Sequence, residues 1–165
     1  PFVLTRSGMY GSHRVASTWT GDNYTSWKTL KFNIPMGLNM AMSGWSNIGH
    51  DIGGFAGPKP SQELMFRWVQ LGVCLPRFSI HSWKPGHCEN SCWMFEESKC
   101  EDLIHLPDEQ WQPITRALRD LVQFRHSIIP WLFELGQFVS RTGEPFMAPL
   151  IYHHPYEDSY INDFT

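Results

Sequence analysis

The chain has 165 residues, of which 15% are aromatic, with eight Trp, and only 18% are charged, so it is long enough for one domain with a sizeable core and aromatic-lined clefts. A net charge of −3 and the lack of any Lys or Arg run exclude nucleic acid and polyanions as partners. No apolar run approaches the roughly 20 residues needed to cross a bilayer, so no membrane partner is expected.

Phe2-Val3-Leu4-Thr5 is a short β-prone run ending at Arg6, and Ser7-Gly8-Met9-Tyr10-Gly11 after it is rich in turn formers. A second strand, Val15 to Trp19, ends at Gly21-Asp22. From Ser26 to Met42 the apolar residues Trp27, Leu30, Ile34, Leu38 and Met42 recur at helical steps, with Pro35 predicting a kink or two shorter helices. A third strand, Ser46 to His50, runs into Asp51-Ile52-Gly53-Gly54-Phe55. Ser61 then opens a helix that is apolar nearly all round and is expected to be buried, with Cys74, Arg67 and Trp68 on it. Pro76 ends that helix, and Arg77-Phe78-Ser79-Ile80-His81 reads as a fourth strand. A long loop from Ser82 to Leu106 precedes the longest helical segment, which opens at Pro107-Asp108-Glu109-Gln110 and continues past Pro130 to Val139. The tail, Met147 to Tyr152, reads as an extended strand.

Strands alternating with long helices predict a parallel sheet with crossover helices. Arg6, Asp22, Asp51 and His81 each stand at the C-terminal end of a predicted strand, the edge where α/β folds and (β/α)8 barrels collect catalytic and binding groups. A complete barrel needs about 250 residues. The expectation is therefore an α/β fold, the C-terminal half of a (β/α)8 TIM barrel with about four βα units. The first residue is not Met and the last five, Ile161 to Thr165, form no closing element, so the chain reads as a piece of a larger multidomain enzyme. Residues 1–146 would be the barrel portion, and 147–165 the connection into a following β-domain.

On Arg6-Ser7-Gly8, Trp19-Thr20-Gly21-Asp22-Asn23 with Trp27, Asp51-Ile52-Gly53-Gly54-Phe55, Glu63-Leu64 with Arg67-Trp68, His81-Ser82 and Gly143-Glu144-Pro145, the chain resembles glycoside hydrolase family 31, the α-glucosidase and α-xylosidase family. The resemblance covers roughly Phe2 to Pro155. It implies a retaining, exo-acting α-glycosidase that removes terminal α-linked glucose from oligosaccharides or glycosides, with α-xylosidase activity as the alternative. Asp22 matches the general acid/base, and a wall of Trp19 and Trp27 is expected to desolvate it and raise its pKa. From the pentapeptide alone, Asp22 reads equally as the cap of the next helix.

Arg6, Asp51 and His81 match positions that bind the sugar of the first subsite, and Trp19 and Phe55 would line it. The plainer readings are an ion pair of Arg6 with Asp22 or Asp51, a carboxylate of Asp51 locking the Gly53-Gly54 amides, a core histidine at His81, and core roles for both aromatics. Arg67 and Trp68 read as structural. The nucleophile implied by the family follows an earlier strand and would lie upstream of Pro1. The chain alone is thus expected to be inactive, leaving a catalytically incomplete carbohydrate-binding fragment or subunit as a competing reading.

The sequence departs from the family pattern at two places. Ser79 stands where an arginine commonly precedes the histidine by two residues, with Arg77 earlier, and the following loop reads Glu89-Asn90-Ser91-Cys92-Trp93. Neither cofactor nor metal is required by the chemistry. A zinc module from His87, Cys88, Cys92 and Cys100 is the rival from another class, although C-x3-C-x7-C fits no strong zinc pattern. Free thiols favour a cytoplasmic setting, a disulfide a secreted one, and the sequence does not choose. Open half-barrel edges predict self-association.

Overall fold

The computed structural model describes residues 2–85, 89–95 and 108–160, with the side chains of the last segment from residue 114. Strands β1 (Leu4–Thr5), β2 (Ser17–Trp19) and β3 (Ile48–Gly49) form a parallel sheet in the order β1-β2-β3. Thr5 pairs with Thr18, and Trp19 with Gly49, so all three strands end at one edge. The Thr18 hydroxyl donates to the Thr5 carbonyl at 2.8 Å, and that of Ser17 to the Asn47 carbonyl at 3.1 Å. These buried hydroxyls tie together strands too short to be held by their ladders alone.

Helix α1 (Trp27–Met42) starts at Ser26, whose side chain accepts from the Thr29 amide at 3.1 Å, satisfying one of the free N–H groups of the first turn. It runs unbroken through Pro35 rather than splitting there. Pro35 and Lys31, whose carbonyl loses its partner, lie on the exposed side where water can replace the missing bond. The buried face also differs from the expected stripe. Leu30, Asn33, Gly37 and Ala41 turn inward, while Trp27, Ile34 and Met42 are about half exposed. Small and polar residues face the sheet because that is where His50 and Asn23 stand.

Helix α2 (Gln62–Val73) has the expected start, with Ser61 Oγ accepting from the Leu64 amide at 3.2 Å. Trp68, Met65 and Val69 are fully buried and pack with Leu30, Ile52, Met94 and Leu118. Arg67 is not in this core: it lies on the surface, 3.8 Å from Glu63. Cys74 likewise caps the helix in an exposed position.

The fourth strand expected at Arg77–His81 is reduced to a single parallel bridge between Asp51 and Ser79. Arg77 N donates to Ile48 O at 3.2 Å and Ile52 N to Ser79 O at 3.0 Å, so the segment lies beside β3. It makes no ladder beyond this because residues 53 and 54 turn away with positive φ.

Helix α3 (Asp108–Thr142) is a single element of 35 residues, ~52 Å at 1.5 Å per residue, and passes Pro130 as expected. It packs on α2 through Leu118. The predicted tail strand is instead a short helix, α4 (Leu150–His153). Pro149 has φ −65°, suited to the residue entering a helix, and Leu150 and Ile151 find no sheet edge to join.

Candidate active site at the carboxyl edge of the sheet

The register brings the segments after β1, β2 and β3 to one edge. Arg6 directly follows β1, and Gly21, with φ 80°, turns the chain after β2 so that Asp22 meets it. Arg6 Nη2 lies 3.6 Å from Asp22 Oδ2, with the two side chains 61% and 45% exposed. The ion-pair reading of Arg6 therefore holds geometrically, with Asp22 as its partner. Asp22 is not the helix cap, since Ser26 is.

The desolvation expected at Asp22 is found at Asp51. That residue is fully buried, and burial pushes its carboxyl above the usual value, against opposing pulls from Arg77 and His81 and a further push from Asp22. Arg77 Nη1 stands 3.5 Å from Asp51 Oδ1 without hydrogen-bond alignment, and among the described residues neither Asp51 oxygen has a donor. The carboxylate does not lock the glycine loop. Gly54 N donates to the Asp51 backbone carbonyl at 3.1 Å instead.

His81 is exposed, not a core histidine, and its ring lies 5.2 Å from that of Phe55 with planes tilted by 39°. Trp19, half-buried at the end of β2, has the Arg77 guanidinium 5.8 Å from its ring centre. The edge thus holds an exposed pair (Arg6, Asp22), a buried pair (Arg77, Asp51) and an aromatic pair (Phe55, His81). An accessible carboxylate, Asp22, at the same edge as these rings suits a neutral, hydroxyl-rich ring compound.

Several positioning residues escaped the reading of the sequence. Asn23 Oδ1 accepts from Phe55 N at 3.0 Å while its Nδ2 reaches Asn33 Oδ1 at 3.3 Å, joining the loops after β2 and β3 to α1. Lys84 is buried and donates to Thr25 Oγ1 at 2.8 Å, Pro58 O at 2.9 Å and Gly57 O at 3.3 Å. Burial lowers its pKa to about 8. Asn90 Nδ2 donates to Gly54 O at 2.9 Å and Ile52 O at 3.3 Å.

His50 is buried with its pKa lowered to about 4 by desolvation, partly offset by a hydrogen bond to the Asn33 backbone. Its Nδ1 lies 3.0 Å from Thr20 Oγ1. A neutral ring donating to Asn33 must accept at Nδ1, so Thr20 donates there. Asn23 directly follows Asp22, and His50 directly precedes Asp51; that adjacency was the signal available for them.

Among the described residues no group of three or more His, Cys, Asp or Glu could hold a metal ion. Three of the proposed zinc ligands, His87, Cys88 and Cys100, lie outside the described residues. Among those residues, too, no helix is long and apolar enough to cross a membrane.

The profile of the glycosyl hydrolases family 31 TIM-barrel domain matches residues 1–135. The chain belongs to glycosyl hydrolase family 31. Within it, the chain is 37% identical to the glucosidase 2 subunit alpha of Saccharomyces cerevisiae over 158 residues, 94% of this chain and 14% of that protein. It is 33% identical to alpha-glucosidase 2 of Bacillus thermoamyloliquefaciens over 98% of this chain and 18% of that protein. The crystal structure of an ER glucosidase II heterodimeric complex, of catalytic subunit and the binding domain of a regulatory subunit, superposes with a TM-score of 0.78. It is 30% identical, with 98% of this chain and 16% of that chain covered. The chain thus spans less than a fifth of the length of these relatives and is an α/β portion of a family 31 TIM-barrel domain.

Proposed function

We propose that the protein carrying this chain is a retaining exo-acting α-glycosidase that removes terminal α-linked glucose from oligosaccharides. The observation that carries this reading is the convergence of Arg6, Asp22, Asp51 and His81 on the one sheet edge where barrel enzymes do their chemistry. Asp22, open to solvent and steadied by Arg6, is the general acid/base. It protonates the departing glycosidic oxygen and then takes a proton from the water that attacks the glycosyl-enzyme. Asp51 accepts hydroxyl protons of the bound sugar, and Phe55, His81 and Trp19 line its subsite. The nucleophile is a second carboxylate, assigned to the segment before Pro1. Residues 1–146 are read as barrel, and 147–165 as the connection onward.

The test is Asp22→Asn in the full-length protein. Hydrolysis of an α-glucosyl disaccharide, whose leaving group needs protonation, should fall by about 10²–10⁴-fold. Release of p-nitrophenol from p-nitrophenyl α-glucoside should be less impaired in its first step, and azide should accelerate turnover by replacing water. Equal activity of wild type and variant on both substrates would remove Asp22 from the mechanism.

A further inference from the structure

We infer that Arg77 is a positioning residue: its guanidinium supplies the counter-charge that lets the buried Asp51 carboxylate stand ionised behind the sheet edge. Asp51 is fully buried and the Arg77 side chain only 11% exposed, and they meet at 3.5 Å. An unpaired carboxylate at such a place is costly. Both Asp51 oxygens and Arg77 Nη1 are buried without another partner among the described residues, so the Arg77 charge is what offsets that cost.

The placement is built in by the backbone. Asp51 and Ser79 are paired in a parallel bridge, so their side chains share a face, and Arg77, two residues earlier in the extended segment, shares it too. The Arg77 carbonyl lies where a Cβ on residue 49 would be, so glycine at that position lets the segment press against β3. Trp19 backs the guanidinium at 5.8 Å. The other groups acting on Asp51 are His81 from the same segment as Arg77 and Asp22, held by Arg6, from the loop after β2. His50 precedes it and is neutral at pH 7.

The role of Asp51 toward sugar rests on the proposed function, but its dependence on Arg77 does not, so two readouts separate them. In the full-length protein, Arg77→Met should move the acid limb of kcat/KM for p-nitrophenyl α-glucoside upward by roughly one pH unit or more, chiefly through KM. Adding Ser79→Arg should move it back, because residue 79 shares the face of Asp51. An unmoved limb in R77M overturns the inference.

Thermal unfolding between pH 5 and 8 reads the same pair without turnover. The folded-state value of Asp51 lies above its ordinary one, so its ionisation costs stability as pH rises through that value. The R77M deficit should therefore grow with pH, and the losses of D51N and R77M should exceed that of the double variant. Additive, pH-independent losses overturn the inference. If R77M alone does not fold, recovery of folding in D51N/R77M supports it, and failure to recover overturns it. A wild type without turnover would sink the proposed function and leave the unfolding cycle to decide this one.

Discussion

At the scale of single residues, the site is organised by side chains whose partners are backbone groups of another loop. Gly54 shows how little room that leaves. Its φ is +84°, and a Cβ there would come within 2.7 Å of the Thr25 backbone nitrogen. Gly54→Ala should therefore destabilise the fold by about 3 kcal/mol, combining left-handed backbone strain with overpacking. Urea unfolding measures it, and a loss under 1 kcal/mol would mean that the loop has slack. His50 makes the same point for α1. Gly37 has no side chain, and His50 Nε2 lies 3.1 Å from where its Cβ would be, which lets the imidazole reach the helix backbone. The candidate residues Arg6, Asp22, Asp51 and His81 were legible as polar groups at predicted strand ends. Which carboxylate would be buried was not, because Asp51 is enclosed by the segment at 77–79, with which it pairs through Ser79 and whose Arg77 meets it at 3.5 Å, and that contact is not local to Asp22.

Among elements, the least regular part of the sheet is stabilised from outside it. The turn after α2 is held by Arg125 of α3, which donates to the carbonyls of Leu75 at 2.7 Å, Val73 at 2.8 Å and Pro76 at 2.9 Å. Burial lowers its pKa, yet the guanidinium keeps its charge and answers carbonyls left free at the end of α2. Arg125→Met should cost about 2–4 kcal/mol by leaving these acceptors unmet, and should loosen the segment that carries Arg77 and His81. Amide exchange at Arg77 and at Ile52, which bonds Ser79, is the sensitive readout; unchanged protection there would contradict it. Helix periodicity made α1, α2 and α3 readable from sequence, with Ser61 as the start signal of α2, whereas the cap of α1 is Ser26 and not Asp22. The tail at 147–152 was misread because an extended apolar run becomes a strand only where an edge receives it, which is a property of the tertiary fold. The segment at 77–81 does lie beside β3 and is cut to one bridge by the turn at residues 53 and 54.

For the whole molecule, the apolar surface left open is broad. Phe2 and Val3 beside β1, Phe32 and Ile34 on α1, and Phe124, Trp131 and Phe133 on α3 are 47% exposed or more. A closed barrel covers strand edges and the helix faces that adjoin them. The 165-residue chain produced alone should accordingly sediment above its 19.2 kDa monomer mass or precipitate at micromolar concentration, and a stable monodisperse monomer would overturn that expectation. The α/β class and the shared carboxyl edge were visible in the alternation of strands and helices, whereas the extent of this open surface depends on what packs beside each element. The two cation–carboxylate pairs at the sheet edge carry a final consequence. Arg6 offsets Asp22 and Arg77 offsets Asp51, so these four side chains add no net charge to the edge. Under the proposed function they would neither draw a substrate in nor turn it away, and any field at the mouth would come from the assigned nucleophile.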